Sequence, residues 1–164
     1  MKILIAIVFY FLYWGICCLG TGTDRKNLIG LRSYPEEVQN RVKSAPQLAE
    51  YIPKEKSPVV ILLSNLLMFT LVFSALGLAL KNVLGLNSYI SAFLYFLAFG
   101  EGLGVFDLTV IDLLWWRRTK RIRFSFLPEK EPYQNPDKHI LSFVRGIPLF
   151  AAVAALTAAI ITLF

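Results

Sequence analysis

Four long apolar blocks dominate the chain: residues 3–20, 59–80, 88–116 and 146–164. Three carry no charge, and the block 88–116 carries three acids and no base. Each has 18 or more residues, enough as a helix to cross about 30 Å of hydrocarbon. The blocks therefore predict an all-α integral membrane protein with four transmembrane helices. A hydrophobic content of 56% agrees, since a soluble domain usually stays near 45–50%. What lies between the blocks, 21–57 and 117–145, is too short in either piece to bury a good core alone. Residues 1–164 thus read as a single membrane domain with two short basic segments.

The first block also has features of a signal peptide, a Lys2 start and an apolar run. That run is longer than a signal core, and no A-x-A site follows it, so its retention as a span is expected. Charge supports this. Of 17 Lys and Arg, seven lie in 21–57 and eight in 117–145, leaving Lys2 and Lys81. Four spans put both basic segments on one side, which the positive-inside rule makes cytoplasmic. The expected location is the cell membrane, with both termini and the turn 81–88 outside. Trp115 and Trp116 mark the cytoplasmic end of the third span, because indoles favour the headgroup level.

In segment 21–57, "SYPE" and "SAPQ" have capping-box spacing, with Ser33 and Ser44 as expected N-caps. Two short helices follow, 34–43 and 45–51, whose Val38, Val42, Leu48 and Tyr51 can rest on the membrane surface or on the other segment. A connector lying on the bilayer is the simpler expectation. In "RRTKRIRFSFLP", five bases fall within seven positions, and Ile122, Phe124 and Phe126 alternate with Arg121, Arg123 and Ser125. That period of two suits an extended piece with its apolar edge in the interface. Directly after a span, Arg117, Arg118, Lys120, Arg121 and Arg123 read as contacts to anionic lipid headgroups rather than to nucleic acid. "PEKEPYQNPDKH" reads as a proline-broken loop, with His139, the only histidine, at the interface.

The acids of the third block are its unusual feature. Counted inward from Trp115, Asp112 lies about 4–5 Å deep, Asp107 about 12 Å and Glu101 about 21 Å on a straight helix. Intramembrane acids are expected to be protonated, partnered or facing water, and they are functional candidates by default. Asp112 can reach Arg145 at the start of the fourth span. Asp107 lies at the depth of Asn65 on the second, which predicts an Asp107–Asn65 contact. On a regular helix Asp107 points about 120–140° away from the face shared by Glu101 and Asp112, so the three cannot converge. Glu101 stands in "GEGLG", where Gly100 and Gly104 have small-xxx-small spacing. It sits either at a tight helix crossing or at a pocket. Ala151, Ala155, Ala158 and Ala159 offer a matching stripe on the fourth span.

No phosphate loop, paired-His motif, Cys-x-x-Cys or Ser-His-Asp set is present in the sequence, so no cofactor and no metal is expected. Cys17 and Cys18 are adjacent and read as small hydrophobes, with S-acylation as the sharper alternative. The run "FGEGLGVFDLTVIDLLWWRRTKRIRF" with "HILSFVRGIP" resembles an uncharacterised group of small bacterial multi-span membrane proteins. That resemblance implies a multi-span fold and brings no activity or site residue.

The leading functional expectation is a structural or assembly component of a membrane complex. It would associate with itself or with a membrane partner, its basic rim on anionic lipid. A transporter or proton-relay subunit using Glu101, Asp107 and Asp112 is the alternative, with Arg145 as counter-charge. A lipid-modifying enzyme is third.

Overall fold

The computed structural model describes residues 1–164. The chain runs through α1 (Lys2–Leu19), α2 (Asp24–Ile29), α3 (Glu36–Lys43), α4 (Pro58–Ala79), α5 (Lys81–Leu84), α6 (Tyr89–Phe106) and α7 (Asp137–Leu163). Beyond α6 the same helix continues, wound more widely, over Asp107–Trp116. There are no strands, only an isolated bridge between Phe124 and Leu127. Four helices are long and apolar enough to cross a membrane: α1, α4, α6 with its continuation, and α7. Three begin and end within two residues of the apolar blocks. The fourth starts at Asp137, well before position 146, because "DKHILSFVR" is helical without being uniformly apolar. Its first turn is set by the Asn135 side chain, whose Oδ1 accepts the Asp137 N–H at 2.8 Å, and Asp137 itself suits the positive helix start.

The chain divides into two compact units. The first comprises Met1–Tyr10, Lys56–Val105 and Val144–Phe164. Phe73 is fully buried at its centre, with the rings of Phe9, Phe96, Phe99 and Phe150 all within 5.0–6.3 Å. Small residues let the backbones approach. A Cβ on Gly100 would meet the Phe150 ring and Cβ at 2.9–3.0 Å, and a Cβ on Gly102 would meet the Tyr10 hydroxyl at 2.5 Å. That hydroxyl donates to the Phe99 carbonyl at 2.7 Å. The "GEGLG" glycines therefore serve two crossings, Gly100 towards α7 and Gly102 towards α1. The buried side of α7 is Phe150, Val153, Ala154, Thr157, Ala158 and Ile161. Of the expected alanine stripe, only Ala158 is fully buried, while Ala151, Ala155 and Ala159 are half-buried.

The second unit comprises Phe11–Glu55 and Phe106–Phe143. Here the two basic segments fold on one another. Leu28, Leu31, Tyr34, Val38, Val42 and Leu48 from one segment and Ile122, Phe124, Leu127 and Tyr133 from the other form one buried cluster. Neither segment has enough apolar surface alone, and together they do. This corrects two expectations. Val38, Val42 and Leu48 of segment 21–57 rest on the other segment rather than on a membrane surface, and the Ile122–Phe124 edge faces protein rather than the membrane interface. Polar groups match the apolar fit. Tyr34 donates to the Ile122 carbonyl at 2.8 Å, and buried Asn27 donates to the Arg121 carbonyl at 3.0 Å. Asp24 accepts the Ser125 N–H at 2.9 Å and its hydroxyl at 2.5 Å. Tyr133 accepts the Phe124 N–H and donates to the Leu127 carbonyl.

The local starts also differ from the capping-box reading. Thr23 caps α2 by accepting the Lys26 N–H, and α3 begins after Pro35. Ser33 closes a 3-10 turn, and Ser44 ends α3, donating its hydroxyl back to the Asn40 carbonyl. The expected helix 45–51 is a single 3-10 turn over Ala49–Tyr51. Tyr51 is exposed, with the Arg25 guanidinium 4.5 Å above its ring.

Candidate functional site

The second unit gathers most of the chain's unusual polar side chains. The helix widens at Asp107 and stays π-wound to Trp116. On a regular helix, positions five apart diverge by about 140°. With i→i+5 bonding they stack instead, which brings Asp107 and Asp112 to one side. The separation predicted for a regular helix therefore does not hold at this point. The two carboxyls are electrostatic neighbours of each other and of Tyr13 and Cys17 on α1. Tyr13 and Cys17, one turn apart, share a side-chain hydrogen bond.

His139 completes the group. It is not an interfacial loop residue: it lies in the first turn of α7, is only 6% exposed, and its Nδ1 stands 2.9 Å from Asp112 Oδ2. Asp107 is also an electrostatic neighbour of the imidazole. The Trp116 ring packs edge-on against the imidazole at 5.3 Å, and the same indole meets the Tyr34 ring at 4.9 Å. Two buried nitrogens of this cluster lack a partner, His139 Nε2 and Trp116 Nε1. Buried polar atoms are normally paired, and such exceptions mark strain, water or function. With Asp112 on the Nδ1 side, Nε2 is the unpaired end of the ring.

The remaining predicted residues are placed as follows. Glu101 on α6 and Asn65 on α4 are half-buried, and Arg145 on α7 is exposed, all three in the first unit. Of the five cations after the third span, Arg121 donates to the Cys18 and Thr21 carbonyls at 3.0 and 3.2 Å, which satisfies carbonyls left open where α1 ends. Arg123 donates to the Pro128 carbonyl at 3.0 Å. Arg117, Arg118 and Lys120 make no side-chain hydrogen bond or ion pair within the chain.

Sequence reasoning missed Tyr13, Cys17 and His139 as members of the site. Tyr13 and Cys17 have i,i+4 spacing on an apolar helix, and that was the available signal. His139 gave none, because its role depends on a helix that starts earlier than the apolar pattern. Chemically, the group can hold, accept and pass a proton, with two carboxyls, an imidazole, a phenol and a thiol held together by their helices. No family model, curated protein or solved structure matches the chain.

Proposed function

We propose that the protein is a proton-handling component of a membrane, with Asp107 the exchanging carboxyl and the Asp112–His139 pair its neighbour in the relay. The observation that carries this reading is the buried pair itself, set beside a second carboxyl in a span and ending in an unpaired imidazole nitrogen. Ionisable groups within spans are costly and are characteristic of proton paths. A proton taken up by the Asp107 carboxylate passes to the His139 side and leaves there, so no charge accumulates. The basic segments are cytoplasmic and the termini outside, because 15 of the 17 cations fall in the two segments that four spans place together.

Liposomes holding a trapped pH dye and a potassium diffusion potential test this. The expected result is proton entry faster than in protein-free liposomes, abolished by Asp107→Asn and retained by Glu101→Gln. If folded wild-type protein conducts no faster than empty liposomes, the reading fails. The carboxyls and His139 are then a clasp between helices, and the protein is an assembly component, the leading expectation from sequence.

A further inference from the structure

A shallow groove of about 480 Å³ opens on the second unit, lined by Trp14, Val110, Leu114, Trp115, Arg118 and Thr119. We propose that it binds a single anionic glycerophospholipid from the surrounding membrane, with the phosphate on Arg118 and the upper acyl chain along Val110 and Leu114. Three observations converge. First, the lining is graded along the chain, from Val110 and Leu114 inside the span to Arg118 and Thr119 just past its end, the order in which a lipid changes from chain to headgroup. Trp115 sits at the junction, where indoles prefer to lie. Second, Arg118 is an exposed guanidinium with no partner in the chain, whereas Arg121 and Arg123 on the same basic run hold backbone carbonyls. A guanidinium with its fork free is suited to bidentate phosphate contact. Third, the Trp14 indole N–H is buried without an acceptor. Trp14 lines the groove, and a small turn of its indole towards it brings that N–H to a lipid ester oxygen below the phosphate. Electrostatic attraction along the basic rim would favour any anionic surface equally. The groove instead assigns one lipid to one cation, and it stands independently of the proton-handling site.

Native mass spectrometry of the detergent-purified chain, titrated separately with phosphatidylglycerol and phosphatidylcholine, tests this. One phosphatidylglycerol is expected to stay bound, with phosphatidylcholine retained far less. Arg118→Gln should weaken phosphatidylglycerol binding about tenfold, as loss of a charge-assisted contact does. Lys120→Gln, which removes the same charge outside the groove, should leave it unchanged. Trp14→Phe, which keeps the ring and removes the N–H, should weaken it by a smaller factor. Equal losses from Arg118→Gln and Lys120→Gln would mean diffuse attraction only, and would overturn the proposal. Equal retention of both lipids would do the same. Should Arg118→Gln fail to fold, Trp14→Phe decides, and no change in its binding counts against the site.

Discussion

Asp112 and His139 face one another at 2.9 Å from two different helices, both nearly closed to solvent. Asp112 reaches that position because its helix is π-wound. His139 reaches it because α7 starts earlier than its apolar stretch. The contact thus depends on two local departures from regular helix reading, and each departure is stabilised by it.

Breaking this pair should be costly. His139→Ala leaves the buried Asp112 carboxyl without its partner and should cost about 3 kcal/mol, the upper end for a stranded buried polar group. Asp112→Asn keeps an acceptor for Nδ1 and should cost about 1–3 kcal/mol. Lys138→Ala is the control: its pair with Glu36 is 3.3 Å long with Glu36 81% exposed, so little change is expected. Thermal unfolding in detergent micelles measures all three. If His139→Ala and Lys138→Ala behave alike, the buried pair contributes nothing.

Glycine substitutions should separate close crossings from open helix surface. Gly100→Ala sets a methyl against Phe150, whose ring is held between Phe69 at 5.1 Å and Phe73 at 6.3 Å and has little room to move. Overpacking of this kind costs about 1–3 kcal/mol. Gly15→Ala meets nothing within 4 Å and should gain up to about 1 kcal/mol through helix propensity. The same unfolding assay reads both. Equal stabilities for the two variants would show that α6 and α7 are not closely packed at Gly100.

The fold was legible where one physical requirement acted alone. Four long apolar runs, three of them uncharged, were legible as helices able to cross a membrane, and the ends of α1, α4 and α6 with its continuation followed directly. Gly100 was legible as a close-packing residue for the same reason, although Gly102 was not, since its partner is a single tyrosine hydroxyl. The basic segments were harder. Ile122 and Phe124 do alternate with basic residues as read, but the period does not say what the apolar edge faces. The answer was another segment nearly ninety residues away, with Tyr34 and Asn27 joining the two through backbone carbonyls. In the site, Asp107 and Asp112 were legible as acids in a span. Their convergence was not, because it depends on helix winding rather than on residue type.

Asn27 gives a direct check of that joining. It is 2% exposed, donates to the Arg121 carbonyl and accepts the Gly22 N–H at 3.3 Å. Asn27→Ala strands both groups and should cost about 1–3 kcal/mol. Cleavage by a protease added from the side bearing the basic segments should then rise at the 119–128 stretch. Unchanged cleavage would mean the two segments stay docked without Asn27.

Alkaline pH should weaken the same docking through Tyr34. Burial holds its phenol well above the ordinary value of 10.0, so the folded protein keeps it neutral where the unfolded chain ionises. A group whose folded pKa is raised contributes stability that is complete below its unfolded pKa and declines as pH rises beyond it. The wild type should therefore hold its stability up to about pH 10 and lose it steeply above. Tyr34→Phe cannot ionise at this position. It should begin about 1 kcal/mol less stable at neutral pH, having lost the bond to the Ile122 carbonyl, and then decline less steeply. Tyr133, also raised by burial, leaves part of the alkaline loss in both proteins. Unfolding midpoints measured from pH 8 to pH 11.5 should bring the two curves together. Parallel curves across that range would show that Tyr34 is not the group whose burial links this docking to pH.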